Sequence, residues 1–228
     1  MSVSAVMFDL DETLFNRSDS LRAFVENQFS GRALGNLGNL RAVGDRFLAL
    51  DRRGRTSKRE VYDALLAETG FPDSAASATL FDDYETNAWR FARAFDGMAE
   101  LLSWLANSGR RTAIVSNGQT HIQLRSLLAL NLDRLVNTYL ISEQEGCRKP
   151  EPAIFRRAAE RLGVSVVDCV FVGDSPEADM IGARSLNMKT IWFPNGAVWP
   201  EHYDWQPDAV IGSLPEIRDL IEGWEKAG

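Results

Sequence analysis

The sequence predicts an α/β fold: a parallel sheet flanked by helices, with a helical domain inserted after the first strand. Three observations predict it. Val3 to Phe8 reads as a buried strand, and it ends in the polar cluster Asp9-Leu10-Asp11-Glu12-Thr13. From about Asn16 to Phe95 the apolar residues recur only at three- and four-residue spacing, which is the period of a helix. After Asp96 short apolar runs alternate with helical patterns, the order of a parallel sheet covered on both faces. The α/β domain is therefore expected over residues 1–15 and 96–228, and the inserted helical domain over 16–95.

Each element follows from its local pattern. In the insert, SLRAFVENQFSGRAL, LRAVGDRFLALDRR and SKREVYDALLAETG carry the helical spacing. Ser57 with Glu60 has the form of a capping box, and Gly70 followed by Phe71-Pro72 supplies a stop. GRALGNLGNLRAVG reads as an interhelical turn. Beyond the insert the predicted order is helix MAELLSWLANSG, strand RTAIVSN, helix QTHIQLRSLLAL and strand VNTYLIS. Helix PAIFRRAAERLG, strand VVDCVFVGD, helix EADMIGARSLN, strands KTIWFP and AVIG, and a last helix from Leu214 complete it.

Composition narrows the class. With 228 residues and 45% hydrophobic content the chain can bury a sizeable core, and it reads as a globular protein. The net charge of −7 opposes binding to nucleic acid or to an anionic membrane, both of which need a basic surface. Small anionic substrates stay open, because a metal ion and a few local donors outweigh global charge. Two cysteines make no disulfide framework. Cys169 lies in an apolar run and reads as an inert core thiol, whereas Cys147 in its polar stretch reads as exposed. That usage suits a reducing compartment, and with no basic region before the first apolar residues and no run of about 20 apolar residues, a cytoplasmic protein is expected.

In open α/β sheets ligands bind beyond the carboxyl ends of the strands. Four polar clusters fall at or after such ends: Asp9, Asp11 and Thr13; Ser116 and Asn117; Lys149; and Asp174 with Asp179. Asp9 can attack phosphorus without a base to activate it, since a carboxylate is ionised at neutral pH. Asp11 can protonate a leaving alkoxide and then take a proton from water, which requires it to hold a proton part of the time. A closing apolar lid would favour that. Thr13 either fixes the turn by bonding nearby backbone or takes part in the chemistry. Ser116 and Asn117 are read as opening a helix, where they either cap it or help hold a phosphate on backbone N–H groups. Lys149, set before a helix by Pro150, is either solvated or a counter-charge. Asp174 either caps a helix or, with Asp9, supplies the carboxylates that Mg2+ prefers, with Asp179 orienting Lys149 or a metal-bound water.

The ordered set FDLDET, VSNG, RKP and VGDSPEAD resembles all four motifs of the haloacid dehalogenase-like hydrolase superfamily. The insert resembles the helical cap of its subfamily I. The resemblance implies a Rossmann-like core and a Mg2+-dependent phosphatase of small phosphorylated metabolites, working through an aspartyl phosphate. It further implies Asp9 as nucleophile and metal ligand, and Asp11 as acid/base with its carbonyl on the metal. Ser116 would bind the phosphoryl group, Lys149 would neutralise it, and Asp174 would complete the metal site. Members that dehalogenate 2-haloacids typically lack the second aspartate, so Asp11 favours the phosphatase. Glu12 departs from the frequent Gly or Asp, and its side chain is expected to face solvent. Phosphonate-cleaving relatives use a cap lysine, but Lys58 reads as a solvated helix entry.

Other readings remain. A sugar phosphomutase would share the Asp9 phosphoenzyme, a receiver-like protein would share the phosphoacceptor, and a silent binding protein would keep the motifs without turnover. Asn16, Arg17, Arg22, Trp89 and His121 are candidates for reading the substrate, each with an ordinary surface role as the alternative. In the loop over 194–207, Trp199, His202 and Trp205 either rim the site, form an oligomer contact or pack over the sheet edge. A monomer or a homodimer is expected.

Overall fold

The computed structural model describes residues 2–70 and 73–227, so the expected Phe71-Pro72 stop lies outside the described residues. The chain forms two compact units, one of Met1–Phe15 with Ala94–Gly228 and one of Asn16–Arg93.

The first unit begins with strand β1, Ala5–Phe8, every residue of which is buried. The inserted unit then contributes α1 (Arg17–Phe29), α2 (Leu40–Asp51), α3 (Lys58–Thr69) and α4 (Ser74–Asn87). Returning to the first unit, the chain forms α5 (Met98–Asn107), β2 (Arg111–Ser116), α6 (Thr120–Ala129), α7 (Leu132–Leu135) and β3 (Thr138–Ile141). Next come α8 (Ser142–Glu145), α9 (Pro152–Leu162), β4 (Cys169–Gly173) and α10 (Ile181–Arg184). Strands β5 (Lys189–Trp192) and β6 (Ala209–Val210) and helix α11 (Glu216–Ala227) complete it.

The sheet order is β3-β2-β1-β4-β5-β6 and every pairing is parallel. This is the doubly wound Rossmann-like order, with β1 at the centre where the winding reverses. Phe8 stands level with Ile114 of β2 and Val172 of β4, so all three strands run out at one edge. Burial on both faces explains why β1 and β4 read as unbroken apolar runs. Behind the sheet Phe155 meets Phe171 edge-on at 5.0 Å, and Gly182 leaves room for the Phe155 ring, which a Cβ would approach to 2.4 Å.

Two stretches differ from the local pattern. Val166–Asp168 is a 3-10 turn, and β4 begins only at Cys169. The predicted helix EADMIGARSLN starts instead with a π-helical turn, Pro176–Met180, that passes into α10. The Ser175 carbonyl accepts from Asp179 N at 2.9 Å and Met180 N at 3.3 Å, widening the turn. Cys169 is buried and its thiol is pushed up to about 12 by burial and Asp168; Cys147 is half-buried against the same core and not exposed as expected. The residues of the 194–207 loop pack among themselves and on this core: Trp199 meets Trp192 at 5.1 Å and Trp205 at 5.0 Å.

The inserted unit has its own core around Phe24, Phe29, Phe47, Tyr62 and Leu65. Its helices start where side chains accept the first free N–H groups, Asn16 from Asp19 N, Asn39 from Ala42 N, and the Ser57–Glu60 capping box. Lys58 is not solvated. Its ammonium pairs with the fully buried Asp51, which also accepts from Arg17 Nη1 and Gly54 N, each at 2.8 Å. The reason is packing: Asp51 ends α2, and α1 and α3 supply the cations. Burial alone would raise the Asp51 carboxyl, but Arg17 and Lys58 outweigh it and hold it below the ordinary range. Arg22 is likewise engaged, with Asp45 at 2.8 Å and Asp19 at 2.5 Å.

A lowered carboxylate adds stability above the ordinary carboxylate range, and that stability is lost as pH falls through the lowered value. Asp51→Asn is expected to cost about 2 kcal/mol at neutral pH. The gap between wild type and variant in thermal melts should narrow as pH falls below the ordinary carboxylate range. A gap that is constant with pH would contradict the ion-pair account.

Candidate active site

The site forms at the sheet edge where β1, β2 and β4 end. Asp9 follows β1 directly and is tied to β4 by its N–H, donated to Val172 O at 2.9 Å. The chain then turns tightly: the carbonyl of Leu10 accepts from Leu14 at 3.1 Å and from Phe15 at 2.9 Å. Glu12 sits in this turn with φ of 59°. A left-handed backbone is where glycine costs least, which explains its frequency there. Contrary to expectation the Glu12 side chain does not face solvent, since the residue is 8% exposed. Its carbonyl accepts from the side chain of Asn195.

Lys149 Nζ lies 2.5 Å from Asp9 Oδ1 and 2.7 Å from Asp179 Oδ1, and all three residues are buried. The loop that carries Lys149 is held at both ends of its peptide by one side chain. Asn117 Oδ1 accepts from Lys149 N, and Asn117 Nδ2 donates to Lys149 O, both at 2.9 Å. Asn117 therefore does not open a helix as expected: α6 starts at Thr120, and the amide instead aligns Lys149. Ser116 is the last residue of β2 and is buried.

Asp179 reaches back across the π turn, its Oδ2 accepting from Ser175 N at 2.9 Å. Gly173 is what admits it, because a Cβ there would stand 2.3 Å from Asp179 Oδ2. The helix cap at this turn is Ser175, whose Oγ accepts from Ala178 N at 3.1 Å, so Asp174 is not needed as a cap. Asp174 is buried, and its carbonyl is fixed by Trp192 Nε1 at 2.8 Å.

Oxygens of Asp9, Asp174 and Asp179 lie within 4.8 Å of one another. Hard oxygen donors so placed suit a divalent cation such as Mg2+. Asp179 joins this group beyond the set of metal ligands read from sequence, and it shares Lys149 with Asp9. Burial pushes the Asp9 carboxyl up to about 7 against the pull of Lys149, with Asp179 and Asp11 adding to the rise. Burial also works against the charge on Lys149, but Asp179 and Asp9 outweigh it and hold the ammonium above its ordinary value.

Asp11 is half-buried, and its Oδ2 accepts from Gln123 Nε2 at 3.1 Å. Sequence reading missed Gln123 and Asn195. The signal for Gln123 was its place on the buried stripe of α6, with Ser126 and Leu127 at i+3 and i+4. Thr13 is buried in the turn, but its Oγ1 has no hydrogen-bond partner, so it does not fix nearby backbone through its hydroxyl. His121 and His202 are exposed. Trp89 is exposed in the inserted unit.

Comparison with known proteins gives the chain its family. Residues 3–187 match the haloacid dehalogenase-like hydrolase model, and the chain belongs to this family of hydrolases. A glyceraldehyde 3-phosphate phosphatase of Pyrococcus furiosus is 26% identical, over 96% of this chain and 93% of that protein. A ribulose-1,5-bisphosphate 5-phosphatase of Halopiger xanaduensis is 30% identical, over 96% of this chain and 99% of its own length. Among solved structures, YfnB of Bacillus subtilis bound to magnesium shares the fold with a TM-score of 0.74 at 23% identity, over 97% of this chain and 99% of that one.

Gly173→Ala would force Asp179 from its place beside Lys149. It is expected to destabilise the protein by about 1–3 kcal/mol in denaturant titration. An unchanged midpoint would show that the π turn yields freely.

Proposed function

We propose that this chain is a Mg2+-dependent phosphatase that hydrolyses small phosphate monoesters through an aspartyl phosphate on Asp9. The observation that carries it is the buried Asp9 carboxylate held by Lys149, with a second aspartate two residues on and Asp174 and Asp179 alongside. The two relatives named above as phosphatases support the same reading.

An oxygen of Asp9 attacks phosphorus as the bond from phosphorus to the ester oxygen breaks. Asp11 gives its proton to the departing oxygen, so the product leaves as an alcohol. Water then attacks the phosphoryl group on Asp9 while Asp11 takes its proton, and inorganic phosphate departs with the Asp9 carboxylate restored. Lys149 balances charge on the transferring group, and Ser116 binds it. Asp179 keeps the ammonium aimed, and Asn117 keeps its loop in register. Asp9 and Asp174, with the Asp11 carbonyl, would hold Mg2+, which offsets phosphoryl charge when bound.

We read the insert, residues 16–95, as the cap of the family, the part that chooses the substrate, with Asn16, Arg17, Arg22 and Trp89 as its candidates. The alcohol portion of the ester is left to that unit. Among the described residues no helix is long and apolar enough to cross a membrane. Both cysteines are free thiols, which suits the cytoplasm.

A phosphate-release screen over sugar phosphates, nucleotides and small organic phosphates with Mg2+ present tests the reading. Steady release of phosphate is expected, whereas return of the phosphoryl group to a sugar hydroxyl would mark a mutase. Asp9→Asn should lower release by at least about a hundredfold, and retention of more than a few per cent would overturn the mechanism. Chelation should abolish turnover, and added Mg2+ should restore it.

A further inference from the structure

Gln123 belongs to no role assigned above, yet it is placed with care. It lies on the buried stripe of α6, 6% exposed, and its Nε2 donates to Asp11 Oδ2 at 3.1 Å. The other half of its amide, Oε1, is buried without a hydrogen-bond partner. A leucine would fill that buried position without stranding a polar atom, so packing is a poor reason for glutamine there. The neighbouring backbone also makes way for it. At Gly118, with φ of 153°, a Cβ would come 2.7 Å from Gln123 Nε2 and 3.0 Å from its Cγ. The loop after β2 thus leaves space for an amide whose assigned contact is Asp11.

We infer that Gln123 is a positioning residue for Asp11, fixing the carboxyl group in the orientation from which it serves the ester oxygen. The inference rests on the phosphatase reading and deepens it. Asp11 follows β1 on a turn and is half-buried, so its side chain needs an external anchor. A carboxyl group held by one oxygen keeps the other directed. The gain is in orientation, and it matters only when the departing oxygen needs the proton.

That condition supplies the test. Steady-state kinetics with Mg2+ are measured on an alkyl monophosphate, whose alkoxide leaves poorly, and on 4-nitrophenyl phosphate, whose phenolate leaves without a proton. Gln123→Leu is expected to lower kcat on the alkyl ester about thirtyfold and on the nitrophenyl ester less than about threefold, with KM within about twofold on both. Asp11→Asn should show the same selectivity more strongly, and the double variant should lose no more than Asp11→Asn alone. If Gln123→Leu folds poorly, Gln123→Asn keeps a buried amide but withdraws it from Asp11, and the same selective loss is expected. Equal losses on the two esters, or additive losses in the double variant, would overturn the inference while leaving the phosphatase reading intact. A wild type that releases phosphate from neither ester would remove both.

Discussion

The ammonium of Lys149, shared between Asp9 and Asp179 inside the sheet edge, is the interaction on which the rest of the site depends. A buried charge is tolerable only when it is paired, and here one cation is asked to serve two carboxylates with a third, Asp174, close by. The pairing fixes Asp9 from one side. It also gathers three carboxylates in one place, hard oxygen donors of the kind that a divalent cation takes. Each neighbouring irregularity serves this geometry. Gly173 lacks a side chain so that Asp179 can approach, the π turn carries Asp179 back over Ser175, and Asn117 grips both sides of the Lys149 peptide. Wide turns inside helices recur at functional sites because they re-aim one side chain at small cost to the ladder.

The inserted unit shows the same rule with the opposite sign. There one buried carboxylate, Asp51, gathers two cations and a backbone N–H. The unit thereby joins three of its helices through a polar point within an apolar core. In that core Tyr62 donates its hydroxyl to Gln28 Oε1 at 2.6 Å, so that no phenol is stranded.

Much of the site was legible because its parts sit at element ends. Asp9, Ser116 and Asp174 each terminate an apolar run, and a residue at the end of a buried parallel strand is delivered to the edge where ligands bind. The residue types then carry the chemistry. What escaped were partners of those residues. Gln123 is one amide on a helix, Asn195 one amide in a loop, and Lys58 one cation among many in a basic stretch; the first two acquired their contacts from the turn after β1, far away in sequence, and Lys58 from the end of the preceding helix. Glu12 was misread for a related reason. Its identity suggested a solvated acid, while its burial and left-handed backbone follow from the closed turn around Leu10.

The sequence by itself determined the alternation that makes a parallel sheet, the place of the helical insert and the set of acids, serine and lysine that end up at one edge. It could do so because periodicity and strand ends are local properties of the chain. Only the tertiary structure decided how those residues are paired: that Asn117 holds a loop and caps no helix, that Asp179 and Asp9 share one lysine, and that Asp11 is anchored by Gln123. Pairing depends on distances across strands and helices remote in sequence, and those distances exist only once the sheet has closed around β1.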